Sequence, residues 1–185
     1  MKILRVSNKE SLSLGNLEKI ILMYRECFLE PPWRETYFYN TLLIYFEKIF
    51  SIPNLISLVS ISDEEEIQGA TFAYPVIFNK EINEFLEKNG VKDLHKIIYL
   101  AEIFVDNKFR NIGLGKLLHN QRLILSKEQG MEFSVERTSP ASKMFSIILK
   151  DGFTPIGGME VMSLKNISGT QIMAPDARIV SIKKI

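Results

Sequence analysis

The sequence predicts an α/β (α+β) sandwich, with a mixed, mostly antiparallel sheet of six to seven strands flanked by about four helices. Three observations carry this. Segments in which apolar residues alternate trade places with segments in which they recur every three to four positions, so strands and helices interleave. In mid-chain, an apolar run from Ile97 to Val105 passes through Asp106-Asn107-Lys108 into a helix that aligns Leu114, Leu117, Leu118 and Leu125. With 185 residues, 46% apolar content, no internal repeat and no low-complexity segment, residues 1–185 can bury one core as one domain.

The composition also excludes some function classes. A net charge of +1 gives no nucleic-acid footprint and no attraction to anionic membranes. No apolar run reaches membrane-spanning length, and Met1-Lys2-Ile3-Leu4-Arg5 lacks a secretory pattern. A lone cysteine, Cys27, excludes an internal disulfide and suits a reducing cytoplasm, the expected location. Its place on the apolar face of a helix makes it a packing thiol.

In chain order, Ile3–Val6 is a short strand. Leu17, Ile20, Ile21, Tyr24, Cys27 and Phe28 mark a helix capped by Ser13 or Asn16 and stopped by Pro31-Pro32. Trp33 then stands among Glu30, Arg34 and Glu35, either capping the core or walling an acceptor site. A second helix, Glu35 to Phe50, carries more aromatics than one core stripe needs. Leu55–Ile61 and Ile67–Phe78 form a hairpin around the solvated turn Asp63-Glu64-Glu65-Glu66, which is not a metal site because adjacent carboxylates cannot all converge on one ion. Gly69 marks a bulge or close packing. Asn79–Lys96 interrupts the sheet with a helical stretch ending at Asn89-Gly90, and His95 there is a surface residue. After Gly130, Met131, Phe133 and Val135 alternate with polar residues as a fifth strand. A helix over Ala141–Lys150 puts Met144, Phe145, Ile148 and Leu149 inward, and two strands, Phe153–Leu164 and Ala177–Ile182, join around Ser168-Gly169.

The junction Arg110-Asn111-Ile112-Gly113-Leu114-Gly115-Lys116 is where chemistry enters. A strand feeding a glycine-bearing turn at a helix start leaves backbone N–H groups free, aims the helix dipole at them and lets an anion approach closely. Arg110 and Lys116 add mobile positive charge, so the physical reading is a pyrophosphate cradle. It is not a nucleoside-triphosphate loop, because Lys116 is followed by Leu117, nor a dinucleotide fingerprint, because the third glycine is missing.

Val105, Asp106 and the run Arg110-x-x-Gly113-x-Gly115 fill, without a gap, the acyl-CoA motif of the GNAT superfamily of N-acyltransferases, which this chain resembles. The order of elements resembles the GNAT fold over nearly the whole chain, and Ile147-Ile148-Leu149-Lys150-Asp151-Gly152-Phe153 is similar to that family's helix ending in Gly-Phe. The resemblance implies an acetyl-CoA or other short-chain acyl-CoA donor and a primary amine on a small molecule or peptide as acceptor. It implies that Ile103, Phe104 and Val105 offer backbone groups to the pantetheine arm. Asn111, Ile112, Gly113, Leu114, Gly115 and Lys116 would hold the pyrophosphate, with Arg110 flanking it. Trp33, Glu102 and Tyr74 are the residues expected beside the acceptor; the resemblance places Ala141 where relatives often carry Asn near the cofactor, with Ser139 and Ser142 as nearby hydroxyls.

Two carboxylates compete as general base. Glu102 lies inside an apolar strand, where an unpaired carboxylate is costly and a cleft role would explain it, and burial would raise its pKa into a useful range. A salt bridge is the plainer alternative. Glu136, at the end of the fifth strand, ranks second, and a base acting through bound water is a third option. The acid that relatives often supply as tyrosine falls on Ile148, so the thiolate leaves unaided or takes its proton from Tyr99 or Tyr74. That departure keeps a non-catalytic acyl-CoA-binding or sensing module in view, beside an inert domain whose glycines serve only packing. His119 reads as structural. Two chains would pair through the Asn79–Lys96 excursion or the terminal hairpin.

Overall fold

A computed structural model describes residues 1–6, 12 and 14–185. The elements are β1 (Lys2–Arg5), α1 (Leu14–Leu29), α2 (Tyr39–Phe50), β2 (Ile56–Ile61), β3 (Ile67–Pro75), α3 (Lys80–Lys88), β4 (Ile97–Val105), α4 (Leu114–Glu128), β5 (Phe133–Thr138), α5 (Lys143–Lys150), β6 (Thr154–Ile167) and β7 (Thr170–Lys184). The seven strands make one sheet in the order β1-β2-β3-β4-β5-β7-β6. Every neighbouring pair is antiparallel except β4–β5. The expected sandwich is thus present, and the excursion adds a fifth helix, α3, whose Ile82 and Leu86 are fully buried.

All nine residues of β3 are buried, because helices cover both faces of the sheet. On one face α1, α2 and α3 pack a core of Ile20, Ile21, Phe46, Phe72, Tyr99 and Phe104. On the other, Leu114 and Leu118 of α4 and Ile148 of α5 pack against Leu58, Ile98 and Leu100. Gly69 serves close packing, since a Cβ there would lie 2.8 Å from the Phe104 carbonyl oxygen. No helix among the described residues is long and apolar enough to cross a membrane.

Two features of β4 shape the space beside it. First, Phe72 faces Glu102 while Tyr74 faces Tyr99, so β4 holds one extra residue between them. This bulge breaks the alternation. Leu100 packs on the α4–α5 face, and strict alternation would send Glu102 there too, yet Glu102 emerges on the α1–α2 face, where Tyr45 meets it. Second, β4 and β5 pair only at Ile97–Phe133, Ile98–Ser134 and Tyr99–Val135. Beyond that, β5 follows β7 to Thr138 and β4 follows β3 to Val105, and the two strands splay apart.

Several boundaries differ from the sequence expectation. The second helix starts at Tyr39, not Glu35, because Glu35 is drawn into a bridge with Lys165 and a buried ion pair with Arg178. The terminal strands run on to Ile167 and from Thr170, around Ser168 and Gly169 at φ +51° and +83°. Their exposed polar residues hid that length. Leu149 is 40% exposed rather than inward. Of the two expected caps for α1, Asn16 lies inside its first turns and Ser13 lies outside the described residues.

Candidate active site

The splay of β4 from β5 opens into a cavity of about 1100 Å³. It runs from the start of α4 and α5, past the strand edges, to the α1–α2 loop and β6. Glu102, Ile103, Phe104, Val105, Arg110, Asn111, Gly113, Leu114, Gly115, Lys116, Glu136, Ser142 and Trp33 all line it. Ile112, 67% exposed, and Tyr74 lie outside the lining. Tyr74 is buried edge-on against Tyr99, and its hydroxyl accepts from Asn79 Nδ2.

At one end sits the glycine turn. Gly113 holds φ at +88°, a left-handed conformation that favours glycine. The first intrahelical bond of α4 runs from the Leu117 N–H to the Gly113 carbonyl, so the N–H groups of Leu114, Gly115 and Lys116 precede the ladder. A Cβ on Gly113 would meet nothing within 4 Å, and one on Gly115 only Val105 Cγ2 at 3.9 Å. Glycines present only to permit packing would face crowded protein. These face open space inside the cavity, as a cradle for an anion requires.

The cations are arranged differently from the expectation. Arg110 turns back, donating from Nε to the Val105 carbonyl (2.9 Å), from Nη1 to Glu30 and from Nη2 to Cys27 Sγ (3.3 Å). Cys27 in turn donates to the same carbonyl, and burial raises its pKa. Arg110 therefore braces the turn against α1, and its charge is matched by Glu30. Lys116 and Lys143 are the lysines lining this end, and Lys143 donates to Asn111 Oδ1 at 3.0 Å. Ser142 caps α5 by accepting from the Phe145 N–H and is linked to Thr138 at 2.9 Å.

In the middle stands Glu102. Its carboxylate accepts from the Tyr45 hydroxyl, with a further hydrogen bond from Tyr24. Burial raises its pKa from 4.5 to about 7, against the opposing pull of the Tyr45 hydrogen bond and Arg137. Among the described residues no ion pair includes it. Tyr99 lines the same space, and burial raises its pKa so that its hydroxyl stays protonated. Sequence reasoning missed Tyr45 and Arg137 here. Tyr45 was one aromatic among several on its helix, and Arg137 carries no local signal that sets it apart.

Glu136 has a different setting. It is 3% exposed and held by Arg122 Nη2 at 2.7 Å. Arg122 is fully buried and also reaches Thr71 Oγ1, the Glu102 carbonyl and His119 Nδ1 at 3.3, 3.4 and 3.0 Å. One guanidinium thus ties β3, β4 and β5 together beside the splay. Burial raises the pKa of Glu136 against the pull of Arg122, and this pairing is the carboxylate's first commitment.

His119 completes this network. Its Nδ1 accepts from Arg122, which leaves Nε2–H to face Asp151 Oδ2 at 3.4 Å. Burial and Arg122 lower its pKa from 6.5 to about 4. The unfolded chain takes up this proton near pH 6.5 and the folded one does not, so stability is full above that pH and falls as pH drops toward 4. We expect His119's own contribution to this loss, read as the difference between wild type and His119→Gln in urea denaturation, to be about 2 kcal/mol over that window. In His119→Gln this part of the pH dependence should disappear, and an unchanged slope would count against a buried neutral histidine.

At the far end, the α1–α2 loop is fixed to the terminal hairpin by buried charge. Glu35 accepts from Arg178 and from the Tyr37 hydroxyl, and Lys165 bridges Glu35 and Asp176. The Arg178 guanidinium lies 4.3 Å from the Trp33 ring centre, which sets that ring as a wall of the cavity.

No protein-family model and no curated protein matches this chain. Solved structures do. A ribosomal-protein-alanine N-acetyltransferase from Brucella melitensis is similar over the whole of both chains, at 14% identity and a TM-score of 0.67. A GNAT superfamily phosphinothricin acetyltransferase from Sinorhizobium meliloti, in complex with AcCoA, is similar over all of this chain and 88% of its own, at 14% identity and 0.67. An aminoglycoside 6'-acetyltransferase type Ii is similar over all of this chain and 97% of its own, at 15% identity and 0.65. At these identities the likeness is one of fold: the chain has the fold of the GNAT acetyltransferases.

Proposed function

We propose that this chain, built on the GNAT fold, is a one-domain acyl-CoA-dependent N-acyltransferase that moves an acetyl or other short acyl group to a primary amine by direct attack in a ternary complex. The observation that carries the reading is a single cavity joining an anion cradle, splayed strand edges and a carboxylate poised near neutrality. The residues present fit the cofactor, because the space in front of Gly113 and Gly115 is open and leads along β4 to Glu102.

The N–H groups from Asn111 to Lys116, with Lys116 and Lys143, would hold the pyrophosphate. Backbone groups of Ile103 and Phe104 would hold the pantetheine arm, the Val105 carbonyl being already engaged by Arg110 and Cys27, and the Ser142 hydroxyl lies at the start of α5. When bound, acyl-CoA supplies the acyl group as an activated thioester. Holding two reactants in register supplies much of the rate enhancement. Glu102 accepts the proton of the incoming ammonium, and its pKa near 7 suits that task. Tyr99, protonated and on the cavity wall, is the donor at hand for a departing thiolate, in place of the tyrosine that Ile148 replaces. Ile148 is buried on the sheet-facing side of α5, and Ile147 and Met144 face the cavity instead. Glu136 serves by anchoring Arg122 across the splay. The relatives' names, a ribosomal protein and an aminoglycoside acetyltransferase among them, are compatible with an amine acceptor without choosing one. The reading carries the cytoplasmic location with it.

The missing tyrosine favours one rival, a module that binds acyl-CoA without catalysis. Calorimetry with acetyl-CoA and a free-thiol release assay over an amine panel separate the two. We expect saturable binding and amine-dependent release. Binding without release for any amine would favour the rival, and no binding at millimolar acetyl-CoA would sink both.

A further inference from the structure

We propose that the acceptor is a monoamine carrying an aromatic or similarly flat apolar body, rather than a polycationic amine. This rests on the acyltransferase reading and names the substrate class of the same site.

The first support is a charge count around the acceptor half of the cavity. Four carboxylates line the cavity, Glu30, Glu35, Glu102 and Glu136, with Arg137 and Arg178 on the acceptor side; Glu30 is matched by Arg110 and Glu136 by Arg122. Glu35 is matched by Arg178 and Lys165, which in turn hold Asp176, a closed set of two carboxylates and two cations. Arg137 is matched by Glu81 at 2.6 Å. Glu102 is the one carboxylate of the four without a cation in an ion pair among the described residues. Each ammonium that enters loses hydration and needs an uncompensated acceptor in return. This cavity offers one such carboxylate, and a second or third ammonium would meet Arg137 and Arg178 instead.

The second support is the character of the walls. Tyr24, Phe28, Trp33 and Tyr37 form a continuous aromatic surface, with ring centres 4.3 Å apart for Tyr24–Phe28, 5.3 Å for Phe28–Trp33 and 5.4 Å for Tyr24–Tyr37. At its edge two large apolar side chains stand in solvent, Phe38 at 62% and Met162 at 55% exposed, and both line the cavity. The loop bearing Trp33 and Phe38 is locked to β6 by the Thr36 N–H donating to the Leu164 carbonyl and by the Glu35–Lys165 ion pair, and to β7 by the Glu35–Arg178 pair. The surface is therefore set before any acceptor arrives. A flat apolar body beyond the amine would cover Phe38 and Met162 and stack on rings already fixed in place. The tyrosine hydroxyls around Glu102 mark the opposite, polar end, where a single ammonium fits.

The protein contains one tryptophan, and it stands in this wall, so intrinsic fluorescence reports the acceptor site directly. The test titrates the full chain, with CoA present, with 2-phenylethylamine, butylamine, spermidine and kanamycin, reading Trp33 emission, and measures thiol release from acetyl-CoA with the same amines. We expect 2-phenylethylamine to bind at least about tenfold tighter than butylamine or spermidine, as one good aromatic contact supplies, and to give the highest kcat/KM. Phe38→Ala and Met162→Ala should each bring the ratio of phenylethylamine to butylamine toward unity, through KM. Tighter binding or faster acetylation of spermidine or kanamycin would overturn the acceptor class, as would equal affinity for all four amines. If the aromatic preference holds in fluorescence while no amine releases thiol, the cavity's preference for an aromatic monoamine stands as a binding property and the acyltransferase reading fails.

Discussion

Replacing Glu102 by Gln lowers kcat/KM for amine acetylation by about 10²–10⁴-fold, the range expected when a positioned general base is lost, and changes the affinity for CoA less than about twofold. The separation is geometric. Glu102 faces Tyr45 on the α1–α2 side of the sheet, whereas the cradle lies at the start of α4. The wild-type profile of kcat/KM should rise with pH and level off above about 7, as Glu102 becomes able to accept a proton, and the variant should lack that limb. A variant with unchanged turnover across pH would remove Glu102 from the reaction. Stability should move the other way. The folded-state pKa lies above the ordinary value of 4.5, so ionised Glu102 costs stability. The cost is absent below about 4.5, grows as pH rises and is complete above about 7. Glu102→Gln should therefore melt roughly 2–6 °C higher than wild type at pH 8, a half-buried carboxylate's penalty of about 1–2 kcal/mol, with the gap closing toward pH 4.5. Activity lost and stability gained by one substitution is the pattern of a carboxylate kept for chemistry.

Gly113→Glu should weaken acetyl-CoA binding at least about 100-fold in calorimetry. The new carboxylate would stand in the open space before the α4 N-terminus, where the anion belongs, and repel it. Because Gly113 sits at φ +88°, any side chain also strains the turn, so Gly113→Ala is the control. Alanine adds about 1 kcal/mol of strain without charge or bulk, and should lower the melting point by a few degrees while weakening binding by less than about tenfold. A folded Gly113→Glu protein that binds acetyl-CoA with wild-type affinity would remove the cradle. Raising the salt concentration should weaken wild-type binding more than Gly113→Glu binding, because the favourable electrostatic contribution is screened.

The strand–turn–helix unit around residues 97–128 was legible because its signals are local. An apolar strand, a polar turn, a pair of glycines and an amphipathic helix are each written within a few residues. The helix boundaries near Glu35 and Ala141 were not, since tertiary ion pairs and the Ser142 cap overrode periodicity. Charged residues were the least legible. Nothing in the sequence tells which opposite charge Arg110, Glu136 or Arg137 pairs with. Their partners lie in distant segments: Glu30 for Arg110, Glu81 for Arg137, and for Glu136 the fully buried Arg122 on a helix whose apolar stripe did not announce it. Which charge remains free for a ligand is decided by those pairings, and no window of sequence contains them.

The sequence by itself determined the interleaved α/β order, the glycine-bearing turn at Gly113, the open N-terminus of α4 and the presence of one carboxylate within an apolar strand. These follow from backbone sterics and hydrophobic period, which act over a few residues. The tertiary structure alone decided that Glu102 turns toward the tyrosines of α1 and α2, that Arg110 braces the turn, and that Lys143 joins Lys116 at the cradle. The direction of Glu102 depends on one extra residue in the register of β4 against β3, and register is fixed only when the strands meet.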